Sequence, residues 1–222
     1  MGFNIKAAFP AAVEAWRNSV IFKKIDRFIS KQAQKKLCND QFTIICSNCI
    51  GGVIYHRLGK QFLSPTVNMF IKEPDFVEFC LHLDYYLTQE LSFLESDLPY
   101  PLGVLPGDGD QIPDITLHFN HDTIPENAKA NWDKRKMRIN RDNLYIILYN
   151  LSGVTVQQLR QLEHVPCKNR VVLTSKPLPE IPWSFYIKPS RPDRFDDNYL
   201  EKDIFGVRYF EKKFNYIEFL NQ

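Results

Sequence analysis

The chain has little excess charge, no long apolar run and no framework of paired cysteines, and each shortage removes a class of function. Its 222 residues carry 28 Lys and Arg against 26 Asp and Glu, a formal net charge of +2. A protein whose main partner is nucleic acid needs a much stronger cationic excess to neutralise phosphates; nucleic acid is therefore not an expected partner. The longest apolar run, Leu144 to Tyr149, has strand length and falls far short of the roughly 20 residues that a membrane-spanning helix needs. Near the N-terminus Pro10, Glu14 and Arg17 interrupt the stretch that a secretory signal would keep apolar. Five cysteines (Cys38, Cys46, Cys49, Cys80 and Cys167) make an odd set that suits a reducing compartment. The expected location is the cytoplasm. A Walker loop and a dinucleotide-binding glycine fingerprint are both missing, which leaves those nucleotide-binding modes without support.

What is present suffices for a large core. Hydrophobic residues make up 44% of the chain, and 17 Phe and 10 Tyr supply side chains that bury large areas. Residues 1–40 differ from the rest. From Arg17 to Lys36, the cations Arg17, Lys23, Lys24, Arg27, Lys31, Lys35 and Lys36 are opposed only by Asp26, while Phe22, Ile25, Phe28 and Ile29 fall at helical spacing. This basic amphipathic helix has two readings: a helix packed on the domain with a solvated cationic face, or a peripheral contact of residues 17–36 with the inner face of a membrane. The packed helix is the more common outcome of such a pattern.

Residues 41–222 read as an α/β domain with a loop-rich C-terminal part. Strands are expected at Phe42–Cys46, Val67–Ile71, Asp114–Phe119, Leu144–Tyr149 and Val171–Thr174. Helices are expected after Gly51-Gly52 (closed by Gly59), from Glu73 to Leu87, from Glu126 to Ile139 behind a Thr123/Glu126 capping box, and over Thr155–Leu162. Strands separated by helices imply crossovers and a mostly parallel central sheet, hence a three-layer α/β sandwich. Beyond Lys176 five prolines punctuate the chain before an aromatic terminal segment, Val207–Leu220.

In an open parallel sheet, ligands bind beyond the carboxyl ends of strands, where strand order reverses. The segments in that position are Ser47-Asn48-Cys49, Asn120-His121-Asp122, Asn150-Leu151-Ser152 and Ser175-Lys176. In CSNCIGG, a strand enters Ser-Asn-Cys and a helix leaves from Gly-Gly. Such a turn suits Cys49 as nucleophile, its thiol pKa lowered by the field of the helix start. Ser47, Asn48 and the amides of Gly51 and Gly52 would then hold an oxyanion or phosphate. The plain alternative is a tight turn with two small core cysteines. His121 is the candidate base, with His118 as its substitute, while Asp122 serves the turn and His56 is structural or solvated. Cys46 and Cys49 form a C-x-x-C pair, but Cys46 belongs inside the strand and points away from Cys49; neither a metal nor a redox site is expected. Arg135 and Lys136, in a basic helical segment, and Lys176 are candidate ligands for a donor's phosphates. A solvated basic helix face is the ordinary alternative for the first two.

The segments FTIICSNCIGGVIYHRLG, SPTVNMFI, YPLG, LHFNH, NWDKRKMRINRDNLYII and VVLTSK, in this order, resemble an uncharacterised bacterial domain-of-unknown-function family. Its members are often called exopolysaccharide or capsular polysaccharide biosynthesis proteins. The resemblance spans about Gln41 to Asn221. It implies a place in cell-surface polysaccharide assembly, with a sugar or polysaccharide precursor as partner, and supplies no catalytic residues. Together with the strand-end residues it points to a transferase, with acyl transfer to a sugar hydroxyl as the leading reaction and coenzyme A as an acyl donor. A glycosyltransferase using a nucleotide sugar is the enzyme alternative, and a non-catalytic binding or scaffold component is the other.

Overall fold

An apolar run such as Leu144–Tyr149 can be buried on both faces only where other layers cover both. The computed structural model describes residues 13–150, 153–189 and 198–222. Along the chain, helix α1 (Val20–Lys36) leads to strand β1 (Thr43–Cys46) and helix α2 (Ile50–Leu58). Helices α3 (Glu73–Leu81) and α4 (Leu83–Thr88) are followed by three short strands, β2 (Ser92–Leu94), β3 (Leu102–Leu105) and β4 (Ile115–His118). Then come α5 (Pro125–Lys136), β5 (Leu144–Asn150), α6 (Val156–Gln161), β6 (Asn169–Thr174), β7 (Ser184–Tyr186), α7 (Tyr209–Lys213) and α8 (Tyr216–Asn221).

Strands β1, β5, β6 and β7 form a parallel sheet in that spatial order. Their side chains alternate between two apolar cores, as the two-residue period of a strand requires. Ile45, Leu144, Ile146, Leu148 and Val172 point into one core with Phe76, Phe79, Trp132 and Leu159 of α3, α5 and α6. Ile44, Cys46, Tyr145, Ile147 and Leu173 point into the other with Ile50, Ile54, Phe210 and Phe219 of α2, α7 and α8. The expected three-layer α/β sandwich with a parallel central sheet is present. Gly59, at φ 63°, closes α2 in the left-handed conformation that glycine accepts without strain.

Several elements differ from expectation. Strand order rises monotonically across the parallel sheet, so no reversal point exists among the described strands. The strand at 114–119 does not join that sheet: β4 pairs antiparallel with β3, and β3 with β2, in a second sheet. Residues 67–71 contribute only a single bridge, Phe70 to His118. The helix expected over Glu73–Leu87 is divided at His82. Thr123 does not cap α5, whose N-cap is Ile124 with no side-chain cap bond. Pro125 explains this, because the residue before proline is driven out of the helical region and must itself become the cap.

Helix α1 packs on the domain through Phe22, which is buried, and Ala33. Buried Arg57 of α2 ties it down: Nη1 donates to Asp26 Oδ1 (2.6 Å) and Ser30 Oγ (3.1 Å), while Nε donates to Glu211 Oε1 (2.8 Å). Burial works against that guanidinium's charge, but Glu211 and Asp26 hold its pKa above the ordinary arginine value. No described helix is long and apolar enough to cross a membrane.

Candidate functional site

The Ser47–Gly52 turn is held by hydrogen bonds to β5, to Ile71 and within itself. Ser47 N–H donates to Ile147 O (3.1 Å), its carbonyl accepts from Ile71 N–H (2.9 Å), and its Oγ accepts from Tyr149 N–H (2.9 Å). Asn48 Oδ1 accepts from Ile50 N–H (3.0 Å) and so satisfies one of the free amides at the start of α2. Cys46 Sγ donates to Asn48 Oδ1 (3.5 Å); its fully buried thiol is pushed up to about 12, chiefly by desolvation, with the amides of Asn48, Gly51 and Ser47 pulling the other way. A Cβ on Gly51 would lie 2.8 Å from Cys46 Cβ; glycine there lets α2 sit directly on β1. Ser47, Asn48 and Gly51 are therefore committed to building the turn, and the Gly51 amide expected at an oxyanion faces Cys46 instead. Gly52 borders a cleft.

That turn presents Cys49 outward. Cys49 Sγ lies 3.2 Å from His121 Nε2, and the side chain of Asn120 also hydrogen-bonds to the thiol. The two segments meet although β4 is outside the parallel sheet, through a chain of backbone hydrogen bonds. Ile71 N–H binds Ser47 O, while Phe70 N–H and His118 N–H bind each other's carbonyls at 3.0 and 2.9 Å. The chain then turns at Asn120, with Asp122 N–H donating to Phe119 O (2.9 Å), and delivers His121 to the thiol. Contrary to expectation, the Cys49 pKa is raised. Desolvation by burial dominates, and the Asn120 hydrogen bond and the charge of Arg208 pull only partly the other way. The resting group is a neutral thiol that needs a base, and His121 is within reach of it.

Cys49 stands on the ridge between two clefts, whose linings share Asn120 and Leu200 as well. The first, about 420 Å³, is bordered by Phe70, Lys72, Glu73, Tyr149 and Tyr199. The second, about 510 Å³, is bordered by His56, Arg57, Phe62, His121, Lys202 and Arg208. His56 therefore belongs to a cleft wall, a place its helical context did not disclose. Lys72 and Glu73 follow the segment read as a strand at 67–71, so the strand-end rule reaches them. Lys202 and Arg208 come from the loop-rich C-terminal part, where no spacing links them to Cys49.

Four expected site residues lie elsewhere. His118 is buried beneath Phe70, its ring stacked on the Phe70 ring at 4.3 Å between centroids, with neither ring nitrogen hydrogen-bonded. Burial, reinforced by Lys72, lowers its pKa, so it is no substitute base. Arg135 Nη1 donates to Val67 O (2.8 Å), and its guanidinium lies over the Phe62 ring. Lys136 bonds Gln89 O (3.4 Å) and Asp133 (3.4 Å) and borders neither cleft. Lys176 is exposed beyond β6 and borders neither cleft. Asp122 Oδ1 accepts from Asn131 Nδ2 (3.3 Å), a local turn contact. Leu151 and Ser152 lie outside the described residues. Among the described residues, no three His, Cys, Asp or Glu side chains are grouped to hold a metal ion.

Comparison with known proteins extends the likeness toward the N-terminus. A family model described as a domain of unknown function, DUF1919, matches residues 20–221, a span that takes in α1 as well as the segments after Gln41. An uncharacterized protein of Haemophilus influenzae (strain Rd) is 33% identical over 209 residues, covering 91% of this chain and 95% of its own length.

Proposed function

We propose that this chain, which belongs to the DUF1919 family, is a transferase that passes an acyl group through Cys49 to a hydroxyl of a sugar or polysaccharide precursor. The observation that carries the reading is the thiol–imidazole contact of 3.2 Å on a ridge open to two clefts. Donor and acceptor can then approach the same sulfur from different sides, as a covalent relay requires. The precursor class rests on the likeness of the quoted segments to polysaccharide biosynthesis proteins.

In the first half-reaction the Cys49 proton passes to His121 Nε2 as Sγ attacks the acyl carbonyl of a thioester such as acyl-coenzyme A. An S–C bond forms to Cys49, the donor's C–S bond breaks, and the departing thiolate takes the proton from His121. In the second, His121 removes the proton of the acceptor hydroxyl. Its oxygen forms the new ester bond, the Cys49 C–S bond breaks, and the cysteine thiolate recovers the proton. Burial raises the pKa of the Cys49 thiol, so its attack needs the base that His121 places 3.2 Å away.

Incubation of the full chain with acyl-coenzyme A, read by intact mass and single-turnover transfer to a sugar acceptor, tests this. Cys49→Ala should abolish both the protein adduct and transfer. His121→Gln should slow transfer by roughly 10²–10⁴-fold, the range of general-base contributions. Transfer undiminished in Cys49→Ala would remove the nucleophile and favour direct displacement, as in a nucleotide-sugar glycosyltransferase.

We also propose that the protein works at the inner face of a membrane through α1. Val20, Ile21 and Phe28 are 68, 62 and 62% exposed, and Lys24, Arg27 and Lys31 are exposed on the same helix. Apolar groups and lysines together favour anionic lipid headgroups. Sedimentation with anionic vesicles should carry down the wild-type chain and leave Phe28→Asp in solution; equal sedimentation of both would refute the contact.

A further inference from the structure

Residues 202 and 208 pair across an antiparallel bridge, which projects a lysine and an arginine from neighbouring positions. Like charges placed so close repel. Arg17, from the segment before α1, borders the same groove as Lys202 and Arg208. Among the described residues neither Lys202 nor Arg208 has a carboxylate within ion-pairing distance; the Arg208 guanidinium donates only to Leu200 O (2.7 Å). Among the described residues, three carboxylates lie nearby. Asp26 and Glu211 are bonded to Arg57, and Glu201 borders the outer end of the groove. Against these three stand Arg17, Arg57, Lys202 and Arg208, and His56 and His121 add donors along the wall.

We propose that Lys202 and Arg208, with Arg17 at the outer end, form an anion subsite for the paired phosphates of a transfer donor, beside the Cys49 sulfur. A phosphate dianion would supply what the groove lacks: acceptors for a guanidinium fork and an ammonium, and negative charge between three cations. Burial and then the charges of Arg208 and Arg17 hold the Lys202 pKa below the ordinary lysine value, and burial lowers that of Arg208. The second cleft connects this groove to Cys49, so a donor anchored by its phosphates extends its reactive end to the thiol. The subsite thus assigns the basic cleft to the donor and leaves the Tyr149–Tyr199 cleft for the acceptor. The phosphate chemistry is independent of the acyl-transfer reading; only the donor's reacting group rests on it.

Calorimetric titration of the full chain with inorganic pyrophosphate tests the subsite. Saturable binding is expected, weakened at least about tenfold in Arg208→Gln and in Lys202→Gln, since each removes a charge-assisted hydrogen bond. Arg135→Gln and Lys136→Gln should bind as the wild type does. Coenzyme A and uridine diphosphate, each competed against pyrophosphate, distinguish an acyl donor from a nucleotide-sugar donor. Absence of saturable pyrophosphate binding, or binding unchanged in both Arg208→Gln and Lys202→Gln, would overturn the subsite. Binding retained in Cys49→Ala together with no acyl transfer by the wild type would leave the subsite standing and remove the acyl-transfer reading instead.

Discussion

The two segments that meet at the ridge each carry their reactive residue type twice, three positions apart, once on the sealed side and once on the open side. Cys46 ends β1 with its sulfur wholly buried, and Cys49 faces His121. His118 ends β4 stacked beneath Phe70, and His121 lies on the rim. Residue type is the same within each pair, and environment separates the members. The inner cysteine collects backbone amides yet stays protonated because desolvation outweighs them. The inner histidine loses water without gaining a partner. Where the backbone leaves a strand, a displacement of three residues is the difference between packing and chemistry.

The cysteine pair offers the larger contrast. With its pKa pushed up to about 12, Cys46 is ionised at pH 8 in roughly one molecule in ten thousand, because each unit is a factor of ten. Cys49 also lies above the ordinary thiol value of 9.0, but it is partly open and has His121 beside it. Alkylation with iodoacetamide, mapped by peptide mass, should label Cys49 and leave Cys46 untouched until the chain unfolds. The Cys49 rate should keep climbing as pH rises toward and past 9, since only the thiolate reacts. A plateau already reached near pH 6 would mean a preformed thiolate–imidazolium pair and reverse the order of proton transfer given above. Equal labelling of both cysteines in the folded chain would erase the contrast.

Much of the ridge was legible in the chain, and the reasons are local. Leu144–Tyr149 announces a doubly covered strand by its unbroken apolar character, and CSNCIGG announces a strand-to-helix turn by its glycines. The pairing of Cys49 with His121 followed from strand ends, although the premise that β4 lies in the parallel sheet was wrong; the bridge at Phe70 and His118 brings it to the same rim. β2 has only three residues and β3 is interrupted by Gly103, so neither shows a period. Thr123 and Glu126 have capping-box spacing, but Pro125 moves the cap to Ile124, while the box at Thr155 and Gln158 does form. Lys202 and Arg208 were out of reach, because their place beside Cys49 depends on the C-terminal part folding back over α1 and α2. Charge content pointed instead to Arg135, Lys136 and Lys176. The first two are spent on α5 contacts and the third stands clear of both clefts.

The histidine pair gives the smaller effect. His118 is 5% exposed, its ring stacked on Phe70 and met edge-on by Tyr100, with both nitrogens unpaired. Replacing a buried, unsatisfied polar group by an apolar one of like shape is neutral or stabilising, and Phe preserves the stack. His118→Phe should therefore leave transfer unchanged and raise stability at pH 7 by no more than about 1 kcal/mol, roughly 2–4 °C in melting temperature for a chain of this size. The pH dependence is sharper than the shift itself. Burial lowers the folded-state pKa of His118 below its ordinary 6.5, so the unfolded chain takes up this proton first as pH falls. The native state is then free of the penalty above about 6.5 and loses stability progressively as pH drops from there toward the folded-state value. Melting curves from pH 7.5 to 5 should show the wild type falling more steeply than His118→Phe. Parallel curves would mean that the imidazole finds a proton acceptor on the inner side, and a loss of transfer in the variant would return His118 to the chemistry of the rim.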